Sequence, residues 1–85
     1  MIDVKEAVAV ATAYIRELYE EKDLHDLGLE EVELSEDDRW WMVTLGHARK
    51  LSGMDGFGGQ HRRAYRVFRI DAEEGVVRSM KIRDS

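Results

Sequence analysis

The run 63–83 constrains the fold most, because two segments rich in β-branched and aromatic residues flank a short polar turn within it. This pattern predicts an antiparallel β-hairpin. The first segment ends at Asp71, whose carboxylate we expect to accept hydrogen bonds from nearby backbone N–H groups. The turn ends at Gly75, which can adopt a positive φ without steric conflict.

The N-terminal segment predicts one amphipathic helix. Asp3 is a candidate N-cap, and Glu6 three residues later completes a capping box. From Val4 onward, apolar residues recur at helical spacing for about five turns. We expect the helix to end within residues 22–27, with Gly28 marking the break after it.

Four strand segments are predicted after the helix: residues 29–34, residues 39–46 and the two arms of the hairpin. An acidic turn at 35–38 joins the first two, and a glycine-rich loop at 47–62 joins the second to the third. Short turns favour an antiparallel meander with the helix packed across one face. The predicted fold is a single α+β domain over residues 1–85, in the order α-β-β-β-β.

Alternation along the strands divides the apolar residues into two sets. The set that faces the helix is the predicted core: Val8, Ala11, Ile15, Leu18, Trp41, Val43, Phe68, Ile70 and Ile82. On the fourth strand, Val76 is expected to align with this set. One helix covers only one face of a four-stranded sheet, so the second set is left on the other face as a predicted contact surface for a protein partner or a second copy. That surface is Trp40, Met42, Tyr65 and Val67, with Met54 and Phe57 of the glycine-rich loop as further contacts or as a cover.

Composition restricts the classes of function. The chain has no cysteine, which excludes a disulfide scaffold and a thiolate metal site. No basic segment precedes an apolar run at the N-terminus, so we expect a cytoplasmic protein without a membrane span. The charge is uneven: residues 1–46 have a net charge of −9 and residues 47–85 a net charge of +4, for −5 in total. This asymmetry is typical of two oppositely charged surfaces in one fold or of a surface for a partner.

No group of residues has the spacing of a catalytic or cofactor site. Two pairs of adjacent carboxylates fall in the predicted turns 35–38 and 72–75, where no apolar pocket would raise a pKa. The glycine-rich run 53–59 lacks the Gly-Lys-Ser/Thr end of a phosphate-binding loop. The three histidines lack the spacing of metal ligands and are expected in solvent-exposed loops; they are His25, His47 and His61. We therefore predict a protein that is not an enzyme and that has no metal or cofactor.

The third strand and its approach are rich in arginine, and Tyr65 and Phe68 are interleaved with Arg62, Arg63, Arg66 and Arg69. Basic strands with aromatic residues are typical of platforms that bind single-stranded nucleic acid. The chain as a whole is acidic, and Phe68 is better placed in the core. Because Arg66 and Phe68 share a face, one of them is expected near a sheet margin or a bulge.

The run Tyr65-Arg-Val-Phe-Arg-Ile-Asp71-Ala-Glu-Glu-Gly75-Val-Val resembles PepSY-like domains, in which a strand ends in Asp and a short turn with Gly precedes the next strand. The resemblance implies a non-catalytic interaction module, of a kind often linked to peptidase inhibition. A similar pattern, Trp-x-Val, Gly-Gly, Ile-Asp and Gly-x-Val, also resembles small immunity proteins of NTF2-like type. We therefore expect a protein-interaction module, with an immunity or antitoxin-like inhibitor as the first alternative and nucleic-acid binding as the second.

Overall fold

The computed structural model describes residues 1–50 and 61–84, so Met54 and Phe57 lie outside the described residues. The chain begins with the helix α1 (Val4–Leu18) and a short 3-10 helix (Glu21–Asp23). Four strands follow: β1 (His25–Leu34), β2 (Trp40–Lys50), β3 (His61–Asp71) and β4 (Val77–Asp84). They form one sheet in the order β1-β2-β3-β4 with every neighbouring pair antiparallel. The predicted α+β meander is confirmed.

The helix α1 begins where the sequence predicts and ends earlier. The Asp3 carboxylate accepts a hydrogen bond from the Glu6 backbone N–H at 2.8 Å, which satisfies one of the open donors of the first turn. The predicted end within residues 22–27 is wrong, because Tyr19 adopts an extended backbone (φ −123°, ψ 149°) that stops the helix at Leu18. The chain is then free to enter β1 at His25, before the predicted start at residue 29.

Both predicted turns adopt the expected local chemistry. The Asp71 carboxylate accepts hydrogen bonds from the backbone N–H groups of Glu73 and Glu74 at 2.8 and 2.9 Å. Gly75 has a φ of 71°, the left-handed conformation that glycine adopts without a Cβ conflict. In the turn between β1 and β2, Asp37 accepts a hydrogen bond from the Ser35 hydroxyl at 2.7 Å.

The core lies between α1 and the inner face of the sheet. Its buried members from the sheet and the helix are Ala7, Ala11, Ile15, Val43, Leu45, Phe68 and Ile70. The Tyr14 ring meets the Phe68 ring edge to face, with the centroids 5.9 Å apart. Val8 and Trp41 are half-buried against this cluster, and the Trp41 indole N–H donates to the Ile2 carbonyl at 3.1 Å.

Two residues assigned to the core lie outside it: Leu18 is 52% exposed and Ile82 is 62% exposed. A 15-residue helix spans about 22 Å, whereas an 11-residue strand spans about 37 Å, so α1 is too short to cover the full length of the inner face. The alignment of Val76 is also wrong. A register shift pairs Ile70 with Val77, which packs on the core, and leaves Val76 44% exposed.

The predicted bounds of the loop at 47–62 are wrong at both ends, because β2 extends to Lys50 and β3 starts at His61. Beyond Gly46 the sequence no longer alternates between apolar and polar residues. The backbone N–H and C=O groups of residues 47–50 and 61–64 nevertheless pair with each other and lengthen both strands.

The prediction that the histidines lie in loops is wrong for all three, because His25 begins β1, His47 lies in β2 and His61 begins β3. His25 is exposed as expected, whereas His47 is buried, with only 3% of its surface exposed.

Candidate functional site

The sheet face turned away from α1, which we call the open face, carries the described part of the predicted contact surface. Trp40 and Met42 alternate with the inward-facing Trp41 and Val43 along β2. Register then places Val67 opposite Thr44 and Tyr65 opposite Gly46, on the same side of the sheet. The four predicted residues therefore share one face, and each is half-buried.

Basic side chains border the apolar centre of the open face. The Arg69 guanidinium lies over the Trp40 ring at 4.5 Å from its centroid, in a cation–π arrangement. Met42 and Val67 line a shallow depression together with Arg69, Ser79, Lys81 and Arg83. The centre of the open face is thus apolar and its β3–β4 side is cationic.

The opposite edge of the open face is acidic. Glu31 of β1 pairs with Thr44 of β2, which pairs with Val67 of β3, which in turn pairs with Lys81 of β4. Paired residues point to the same side of a sheet, so this row runs from an acid on β1 to a base on β4. Glu33 begins the neighbouring row, which continues through Met42 and Arg69 to Ser79 on β4. The open face therefore has a negative edge and a positive edge.

An ion pair crosses one end of the open face. Gly46 has no side chain, and a Cβ built there would lie 2.9 Å from the Glu30 Cγ and 3.1 Å from the Arg63 guanidinium. The bare backbone lets Arg63 reach from β3 across β2 to β1, where it pairs with Glu30 at 3.6 Å and donates to the Asp26 carbonyl at 3.0 Å. Sequence reasoning missed this pair. The sequence feature that could have predicted this ion pair is the presence of glycine at positions 28 and 46, which pair with each other across β1 and β2.

The carboxylates of the two turns lie at one end of the molecule and have the electrostatics of solvated turn residues. Hydrogen bonds from the Ser35 hydroxyl and the Arg39 backbone N–H lower the pKa of Asp37 below its ordinary value. The backbone N–H groups of Glu74 and Glu73 lower the pKa of Asp71 in the same way. Donated hydrogen bonds favour the charged carboxylate, whereas a general acid at neutral pH needs a raised pKa.

A second concave region lies on the helix side of the sheet, beyond the end of α1. Arg66 and His47 are buried there, at 6% and 3% exposure, and Tyr19 packs against both. The sequence predicts that Arg66 or Phe68 lies near a margin or a bulge. Arg66 pairs regularly with Leu45 and Ile82, and the register shift between Arg69 and Ile70 leaves Phe68 as the residue near a bulge. Arg66 is buried because Tyr19 closes over it. In residues 1–50 and 61–84, no group of three or more histidine and acidic side chains is arranged to hold a metal ion.

No protein-family model matches the chain, and neither the search of curated proteins nor the search of solved structures returned a match. In the part of the chain that the structure describes, no helix has the length and apolar character needed to cross a membrane.

Proposed function

We propose that this protein is a non-enzymatic interaction module of PepSY-like type, and that its open face pairs with a second copy of the chain. One observation carries the proposal: a row of half-buried apolar side chains lies between an acidic edge on β1 and a basic edge on β4. The solvent-exposed face of an antiparallel sheet is normally made of polar residues. This face instead carries four apolar or aromatic residues side by side, which are Trp40, Met42, Tyr65 and Val67.

The charge pattern selects the second copy as the occupant. In a face-to-face dimer with its two-fold axis parallel to the strands, β1 of one copy lies over β4 of the other. Glu31 of each copy then lies opposite Lys81 of the other copy. This gives two symmetry-related ion pairs, one on each side of the axis, as an isologous interface requires. An axis perpendicular to the strands would place β1 over β1 and oppose like charges. The apolar centre would be buried in either case, so the charges determine the orientation.

The size of the face sets the expected affinity. Four strands spaced about 4.8 Å apart, over roughly 25 Å of their length, give a face of roughly 500 Å² per copy. Stable complexes usually bury about 800 Å² per partner, so this dimer is at the small end of the range. We expect a dissociation constant in the micromolar range, with the aromatic residue Trp40 as the main anchor.

The first test is the solution mass, measured by sedimentation equilibrium from micromolar to millimolar concentration. The wild type is expected to shift from monomer to dimer. Trp40→Glu is expected to stay monomeric, because it replaces the aromatic anchor with a charge that the interface would bury. Leu18→Glu is the matched control, since it adds the same charge at an exposed apolar residue on the helix side. A wild type that is monomeric at millimolar concentration would overturn the proposal.

A charge exchange tests the orientation. Glu31→Lys and Lys81→Glu should each weaken the dimer, because each opposes like charges across the interface. The double variant restores two opposite-charge pairs and should recover dimerisation. Restoration is specific to the strand-parallel axis, so a double variant no better than either single variant would contradict this arrangement.

The inhibitor alternative is favoured by a different observation, the acidic end of the molecule. The depression at this end is lined by Asp37, Asp38, Arg39, Trp40, Asp71, Glu73 and Glu74. Five carboxylates around one aromatic ring would suit a cationic active site of a toxin. This alternative would be favoured over the dimer if the protein captured a single cognate enzyme, if Glu73→Lys abolished that capture, and if Lys81→Glu left it unchanged. Retention on single-stranded RNA that falls steeply with salt would instead favour nucleic-acid binding.

A further inference from the structure

We infer that the cleft between the end of α1 and the inner face of the sheet binds an oxyanion, a carboxylate or phosphate group, through Arg66. The residues that line this cleft are Tyr19, Lys22, Asp23, His25, His47, Arg66 and Ile82. The cleft is on the opposite side of the sheet from the open face, so the inference does not depend on the proposed function.

The Arg66 guanidinium is a buried charge that has no acidic partner among the residues that the structure describes. The residue is 6% exposed. Its Nε–H donates to the Tyr19 hydroxyl at 3.3 Å, and its Nη1 donates to the Tyr65 carbonyl at 3.0 Å. Both acceptors are neutral. Among the side chains that the structure describes, no carboxylate forms an ion pair with Arg66. A buried charge is ordinarily paired, because removal from water is costly without a compensating partner.

Unused donors of the same guanidinium are available to a ligand. An arginine side chain has five N–H groups, and the described residues accept from Nε and Nη1 but not from Nη2. Because Arg66 lines the cleft, an oxyanion that enters it can reach these donors. The planar fork of a guanidinium matches the two oxygens of a carboxylate or phosphate group.

The rest of the lining favours an anion with an organic stem. Lys22 and His25 stand at the exposed rim, and Asp23 is the one acidic residue that lines the cleft among those described. Ile82, which is 62% exposed, supplies an apolar wall on β4. The cleft has a volume of about 700 Å³, within the range of small-molecule sites.

The test is a titration followed by two-dimensional NMR, with inorganic phosphate and acetate as separate probes at constant ionic strength. Saturable shifts are expected at Tyr19, His47 and the Arg66 Nε–H. Tighter binding of one probe identifies the oxyanion class. Arg66→Gln should weaken binding by about tenfold to a hundredfold, because it removes charge-assisted hydrogen bonds. Arg69→Gln removes an equal charge from the opposite face and should bind as the wild type does.

If Arg66→Gln does not fold, a second pair of variants tests the same inference without changing a buried residue. Lys22→Glu reverses a charge at the exposed rim of the cleft, and Lys81→Glu makes the same reversal on the open face. Phosphate binding is expected to weaken several-fold in the first variant and to stay unchanged in the second. Equal effects in both would indicate a response to net charge alone and would overturn the inference. Shifts that rise linearly without saturation for both probes would overturn it as well.

Discussion

Replacing Phe68 with alanine is the sharpest test of the core. The side chain is fully buried and its ring meets the edge of Tyr14. Loss of the ring removes roughly 150 Å² of buried apolar surface, which is worth about 4 kcal/mol at about 25 cal/mol per Å². This agrees with the cost of about 3–5 kcal/mol for such truncations. A domain of this length has a total stability of roughly 4–13 kcal/mol, so the variant should lose a large part of its folding free energy.

The measurement is urea unfolding followed by tryptophan fluorescence, since Trp41 packs against this core. The matched control is Ile82→Ala, because the sequence assigns Ile82 to the same core while the structure leaves it 62% exposed. Its cost should stay within about 0.5 kcal/mol, as for other surface changes. Comparable losses for Phe68→Ala and Ile82→Ala would refute the view that α1 is too short to cover the end of the inner face where Ile82 lies.

Two further predictions concern the turn between β3 and β4. The lowered pKa of Asp71 means that its carboxylate stabilises the fold fully above its ordinary pKa of 3.8 and that this contribution disappears as the pH falls through the lower folded value. The difference in urea midpoint between the wild type and Asp71→Asn should therefore shrink on going from pH 5 to pH 3, and a difference that widens would contradict the assignment. Gly75→Ala places a Cβ on a residue with a φ of 71° and should cost about 1–2 kcal/mol in the same unfolding assay. Gly28→Ala, where a new Cβ meets nothing closer than 3.9 Å, should cost much less.

Sequence patterns predict which side of the sheet a residue occupies because strand alternation is a local property of the backbone. Trp40 and Trp41 are neighbours in the chain, yet the period of two assigns them to opposite faces, and the structure agrees. The hairpin turn is equally local. Asp71 and Gly75 act through hydrogen bonds and dihedral angles within a few residues, so residue type alone was sufficient to predict them.

The position of the end of α1 along the sheet is not a local property. Helical periodicity continues past Leu18, but the backbone of Tyr19 turns so that its ring can pack on Arg66 and His47. That contact joins residues far apart in the chain, and no pattern within either segment specifies it. The same long-range packing buries Arg66 and His47. Because both side chains are polar, a sequence pattern alone would place them at the surface.

Three arginines of β3, Arg63, Arg66 and Arg69, show how the fold divides a sequence pattern that looks like a single basic stripe. Their spacing of three residues reverses the face at each step, so Arg63 and Arg69 lie on the open face and Arg66 faces the helix. Arg63 pairs with Glu30, and Arg69 is exposed to solvent and stacked on Trp40, so neither charge needs a further partner. Arg66 alone is buried, with neutral acceptors only among the described residues.

The sheet therefore separates two proposals that fail independently. Lys81→Glu should change the solution mass without changing phosphate binding, and Lys22→Glu should do the reverse. A Lys22→Glu variant that also changed the solution mass would mean that the two faces communicate through β3. Arg66 and Tyr65 are the adjacent residues through which such coupling would pass, since the Arg66 guanidinium donates to the Tyr65 carbonyl.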